Sequence, residues 1–235
     1  MPSNADETRT QLIRAAERLF AERGIDAVSL REINREADQR NATALQYHFE
    51  NRRGLVRAIL EKHELAVEAS RHALLDEIEE DGKSDLQRLS AALVMPAAEK
   101  LSDRDGGRAY LRIVAQLINR QRAHVDPIPL EDAANSLNRW RAMVEPEMSP
   151  LAVDPLHSRF TARRIMFVEL ARRAESRRRR DDRLFASHLV DLVTAILGAP
   201  ISTRTRTLLE ERATARRRQS FSASSSSAVS PMAKT

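Results

Sequence analysis

A glycine stop and a capping pattern divide the first fifty residues into short helical segments, and no other feature limits the fold so tightly. Apolar Leu12, Ala15, Ala16, Leu19 and Phe20 recur at helical spacing, and Gly24 follows as a stop. The first helix is predicted over 7–23. Ser29-Leu30-Arg31-Glu32 is a capping box: the hydroxyl can accept from the amide three residues on, and the glutamate can reach back. A second helix over 29–36 puts Leu30, Ile33 and Ala37 on one face. A third, over 40–47, ends in His48-Phe49. A long fourth begins near Asn51 with the stripe Leu55, Ile59, Leu60 and Val67. Two short helices with a tight connection, packed on an earlier helix, fit a helix-turn-helix.

The rest of the chain reads as further helices between breakers. Asp81-Gly82 interrupts the fourth, and Ser84-Asp85-Leu86-Gln87 looks like another capped start. Helical patterns follow near 84–102, 108–123 and 130–145, with Pro96 expected to kink the first. Asp154-Pro155 suits an N-cap and first position of a helix running to about 179. Leu184, Phe185, Leu189, Leu192, Val193 and Ile196 mark a last amphipathic helix, stopped by Gly198 and Pro200. Residues 219–235 hold seven Ser in 17, so disorder is expected there. Few Gly and aromatic residues beside many Ala, Leu, Arg and Glu favour helices over sheets. The expected class is all-α, with domains at 1–50 and 51–200 and a basic, Ser-rich tail at 201–235.

Charge says less than the total suggests. The net +5 lies wholly beyond Gly198, where seven basic residues face two acidic ones; residues 1–198 are neutral. Nucleic-acid binding must therefore rest on a local motif. Of the tail, Arg216-Arg217-Arg218 is the densest part, and the tail either adds sequence-independent attraction to DNA or hangs free with no role. Arg177–Arg180 reads as a helix end and solvated turn before Asp181-Asp182. The absence of cysteine excludes disulfides and thiolate sites. No apolar run approaches the ~20 residues of a membrane span, and Met1–Asn4 lacks a basic-then-apolar leader, so the cytoplasm is the expected compartment.

The first quarter of the chain resembles the TetR family of one-component transcriptional repressors. Carrying the resemblance are Leu12-Ile13-x-Ala15-Ala16-x-x-Leu19-Phe20-x-x-x-Gly24, then Val28-Ser29-Leu30-Arg31-Glu32-Ile33, Leu45-x-Tyr47-His48-Phe49 and Arg52-Arg53-Gly54-Leu55. It implies a three-helix DNA-binding domain and a helical ligand-binding and dimerisation domain. Where the family often has Gly at the turn after the second helix, this chain has Asp38. The implied partners are a double-stranded DNA operator, a second copy of the chain and a small-molecule effector, with no cofactor and no membrane.

Candidate DNA contacts are Ser29, Arg40, Asn41, Thr43, Gln46, Tyr47, His48 and Arg52. Gln can pair bidentately with adenine, and the Thr43 methyl can meet thymine. By resemblance, Tyr47 and His48 lie at or near phosphates, although His48 also fits a capping or packing role. Arg52 and Arg53 sit at a helix N-terminus, where backbone N–H groups already favour a phosphate. Met95, Tyr110, Trp140, Met143 and Phe167 are either pocket walls or plain core. Phe185, Leu189, Leu192 and Ile196 are either an interface between two subunits or core. An enzyme is not expected: there is no His-Glu-x-x-His, no Glu-x-x-His pair and no phosphate-cradling glycine loop, and the serines cluster in the tail without a nearby His or Asp orienter. No metal site is expected either. A helical adaptor that kept the hairpin without binding an operator is the alternative reading.

Overall fold

The computed structural model describes residues 4–39, 44–119, 135–154, 156–177 and 181–226, and these are helical with no strand among them. Helix α1 (Asn4–Arg23) lies against α2 (Leu30–Glu36) and α3 (Ala44–Phe49). Leu12, Ala16 and Phe20 of α1 are fully buried with Ile25, Val28, Ile33, Leu55 and Ile59, so the predicted apolar face is the core of this unit.

Helix α4 (Arg52–Asp81) is 30 residues long and continues from this unit into the rest of the protein. Asn51 caps it, its side-chain oxygen accepting from Gly54 N–H at 3.1 Å, and left-handed Gly82 ends it. Gly54 is also required by space. A Cβ there would stand 2.1 Å from the Phe49 carbonyl oxygen, so only glycine lets α4 start this close to the end of α3.

The remaining helices are α5 (Leu86–Ala98), α6 (Gly107–Ile118), α7 (Ser136–Val144), α8 (Pro150–Val153), α9 (Ser158–Glu175), α10 (Arg183–Leu197) and α11 (Thr203–Ser226). Helices α5 and α7 pack on α4; α6 lies along α9 and on α1; α10 covers α5 and α9. Tying α6 to the first unit are two side-chain bonds: Gln116 Nε2 donates to the Phe20 carbonyl at 3.0 Å, and Ile25 N–H donates to Gln116 Oε1 at 3.0 Å.

Several expected boundaries shift for local reasons. Asp85, not Ser84, caps α5 by accepting from Arg88 N–H at 2.8 Å. Helix α5 continues through Pro96 to Ala98 and then tightens into a 3₁₀ turn, Glu99–Leu101. Asp154 does not open the long helix. Residues 150–153 form a separate turn of helix that starts on Pro150 and ends at Asp154, and α9 begins after His157, which holds a left-handed φ of 51°. The disorder expected from residue 219 is replaced up to Ser226 by α11, which Ser202 starts by accepting from Thr205 N–H at 3.2 Å. Arg, Leu, Glu and Ala between 204 and 216 supply helix propensity without an apolar stripe, and Leu208 stays 45 % exposed. Residues 227–235 lie outside the described residues.

Candidate nucleic-acid interface

The capping box predicted at Ser29 forms. Ser29 Oγ accepts from Glu32 N–H at 3.2 Å, and the Glu32 carboxylate accepts from Ser29 N–H and Ser29 Oγ–H, both at 2.8 Å. Arg23 closes the group at 2.9 Å from Glu32. The Ser29 amide, its hydroxyl and Arg23 hold the Glu32 carboxyl down to about 2. Ser29 is exposed, but its hydroxyl already serves the start of α2.

The turn after α2 runs through Asp38 with φ at 53°, the left-handed geometry for which Gly is the usual residue and Asp the tolerated one. Gln39 N–H donates to the Asn34 carbonyl at 2.9 Å, and Gln39 Nε2 reaches Gln11 on α1 at 3.0 Å. Arg40, Asn41 and Thr43, three of the candidate contacts, lie outside the described residues.

Helix α3 buries Ala44, Leu45 and Phe49 and leaves Gln46 and Tyr47 outward, Tyr47 being 82 % exposed. His48 is half-buried, edge-on to Tyr47 with ring centres 5.1 Å apart and tilted on Phe49 at 6.0 Å. It therefore packs between the exposed and buried rings. Exposed Arg9 of α1 stands over the Phe49 ring, 5.4 Å from its centre, and puts a cation beside α3. The sequence carried a usable signal for it: Arg9 precedes Leu12 and Ile13 by three and four residues and so shares their face.

Arg52 departs most from expectation. Its Nη1 donates to the carbonyls of Ile25 and Val28, the latter at 2.7 Å, and its guanidinium lies 5.9 Å from the centre of the Phe20 ring. The side chain is turned inward onto the loop between α1 and α2, because those carbonyls have no helical partners and sit beside the start of α4. It is a clamp, and a phosphate would have to compete for it.

Away from this face, the candidate pocket residues divide. Tyr110 and Phe167 are buried on α6 and α9, and Trp140 is buried on α7 with Nε1–H donating to the Leu89 carbonyl at 2.8 Å. The Tyr110 ring lies against His63 at 4.8 Å, and burial pushes its hydroxyl pKa up. Trp140 lines a small cavity of about 20 Å³ with Leu137, Arg141, Arg159, Phe160 and Arg163. Met95 and Met143 are half-buried at the margin of the core.

The candidate interface residues also divide. Leu189 is 1 % exposed and belongs to the core beneath α10, with Ala186, Val190, Val193 and Leu197. Leu192 is 39 % exposed, and Phe185 and Ile196 are half-buried. Leu184 of α10 and Ile165 and Val168 of α9 are further exposed apolar side chains on the same two packed helices. A stripe covering 184, 185, 189, 192, 193 and 196 spans two sides of a helix, so periodicity alone does not say which side faces the core.

The sequence profile of the bacterial regulatory proteins of the tetR family matches residues 12–59. No curated protein matches the chain. Among solved structures, the chain is similar to NalD, the secondary repressor of the MexAB-OprM multidrug efflux pump in Pseudomonas aeruginosa. The two share 22 % identity over 85 % of this chain and 100 % of that one, with a TM-score of 0.46. It is also similar to a TetR-family regulator from Streptomyces coelicolor A3, at 20 % identity over 84 % of this chain and 97 % of that one, with a TM-score of 0.40.

Proposed function

The chain is a member of the tetR family of bacterial regulatory proteins, with the family's helix-turn-helix within residues 12–59, and on that premise we propose that it is a homodimeric repressor released from a palindromic operator by a small molecule. The observation that carries the DNA-binding part is α3 itself. Its inner residues anchor it on α1 and α4, Gln46 and Tyr47 project to solvent, and the start of α2 before it is fixed by the capping box at Ser29. In a dimer, two such helices would enter successive major grooves about 34–36 Å apart. The exposed apolar residues of α9 and α10 support the dimer. Release follows by linkage: an effector that prefers a conformation with wrongly spaced recognition helices must weaken DNA binding.

The test is selection of a binding site from random duplex, followed by a gel shift with stoichiometry. A two-fold symmetric site bound by a dimer is expected; a bound monomer, or no preference over random DNA, overturns the reading. On the selected site, Gln46→Ala should relax discrimination at one base pair per half-site by ~1–3 kcal/mol. Equal weakening on every sequence would place Gln46 on the backbone instead. For the dimer, Leu192→Arg puts a charge on the outer side of α10 without touching the core beneath it, and should yield folded monomers by light scattering. A soluble dimeric variant would move the interface elsewhere.

A further inference from the structure

Four guanidinium groups converge inside the helices that follow the first unit: Arg71 on α4, Arg141 on α7, and Arg159 and Arg163 on α9. Arg71 is 5 % exposed; its Nη1 donates to Ser136 Oγ at 2.7 Å and to Glu68 at 3.2 Å, and its Nε has no hydrogen-bond partner among the described residues. The Arg159 side chain is 10 % exposed, pairs with Glu145 and also leaves Nε without a partner. Arg163 has neither a hydrogen bond nor an ion pair with any described residue; its guanidinium stands over Phe167 at 5.8 Å and lines the small cavity beside Trp140. The carboxylates facing the group are Glu64, Glu68 and Glu145, so four cations meet three anions. Burial, and for Arg163 the neighbouring Arg71, lower the pKa of both side chains, whereas burial and Glu68 raise Glu64.

Desolvating a guanidinium is costly unless an anion and its hydrogen bonds compensate. We propose that Arg163, with Arg159 and Trp140, forms a binding site for the carboxylate of a small organic acid whose apolar body lies against Trp140, Phe160 and Leu137. This deepens the repressor reading and rests on it for the site's use. The fork of a guanidinium matches a carboxylate bidentately, and apolar walls with a few polar groups are the usual make-up of a small-molecule site. At about 20 Å³ the cavity has room for about one water, so an acid with an apolar body must part α7 from α9 to enter. That movement has a route to the DNA-binding unit, because α9 lies along α6, and Gln116 of α6 bonds both the end of α1 and the loop after it.

Trp140 is the single tryptophan of the chain, so its fluorescence reports on this cavity with no DNA present. The full chain is titrated with 4-phenylbutyrate and with the neutral 4-phenylbutyramide. A saturable change for the acid is expected, with affinity for the amide about tenfold to a hundredfold weaker, the value of a charge-assisted bond. Arg163→Met should weaken the acid to the level of the amide, and Arg163→Lys should recover part of the difference; circular dichroism checks that both variants fold. Equal affinity for acid and amide, or no saturable change with the acid, overturns the site, and neither needs a variant. The selected operator duplex is then added. An acid that shifts Trp140 and releases DNA supports both readings; one that shifts Trp140 and leaves the DNA bound supports the site and overturns ligand release as its use.

Discussion

Glu17→Ala should cost the folded protein about 3–5 kcal/mol in urea unfolding, because it removes the acceptor at the centre of a buried charged cluster. Glu17 of α1 is 3 % exposed. His63 Nε2–H donates to Glu17 Oε1 at 2.7 Å, and Lys62 Nζ donates to Oε2 at 2.8 Å. Lys62 also stands 3.3 Å from Asp105, which Arg14 of α1 meets at 3.1 Å. His63 Nδ1 lies 3.7 Å from Asp103, itself paired with Lys100 at 3.1 Å. The cluster thus joins α1 to α4 and to the 103–106 turn ahead of α6. Alanine would leave His63 buried beside Tyr110 with no acceptor on α1. Glu17→Gln keeps one acceptor and should cost less. A Glu17→Ala loss below about 1 kcal/mol would mean that water replaces the carboxylate and that the cluster does not hold the two units together.

Gly106 offers an independent check. Its φ is 92°, and a Cβ there would sit 2.4 Å from Glu17 Oε2. Gly106→Ala should therefore hurt the native protein through both strain and collision, and less in a chain that already carries Glu17→Ala, where the collision is gone. Additive losses would show that backbone strain alone accounts for the cost at Gly106.

What could be read from the sequence was local. The capping box lay within four adjacent residues, Asp38 stood at a turn where a left-handed residue was needed, and the apolar face of α1 followed from its spacing; each of these took shape as the pattern implied. What could not be read involved partners far apart in the chain. Glu17 looks like one more solvated charge on a helix until His63, 46 residues later, is brought against it. Nothing local separates Leu189, which is buried in the core, from Leu192, three residues on and exposed. The arginines near Trp140 come from three helices and were scattered among many other basic residues, so only their burial sets them apart.

Arg52 shows the same limit at the site itself, and Arg52→Met should have the second large effect, a loss of about 3–5 kcal/mol in folding stability. Two bonds from a charged donor disappear, each worth roughly 1.5–3 kcal/mol. The acceptors, the carbonyls of Ile25 and Val28, lie in the loop that sets α2 against α1, and both residues are buried, so little water can replace the donor. Methionine keeps the contact with Phe20 but donates nothing. Arg52→Lys restores a donor without the planar fork and should recover only part of the loss. A guanidinium at a helix N-terminus also opposes the macrodipole, a cost that the two carbonyls offset and an empty groove would not. The alternative, a phosphate contact, has a different signature. If Arg52 turns outward onto DNA, Arg52→Met leaves stability within about 0.5 kcal/mol, weakens binding evenly across sequences and lowers the salt slope by about 1. The clamp instead gives a lower urea midpoint without DNA, and operator binding that fails along with the loop that holds α2 and α3 in place.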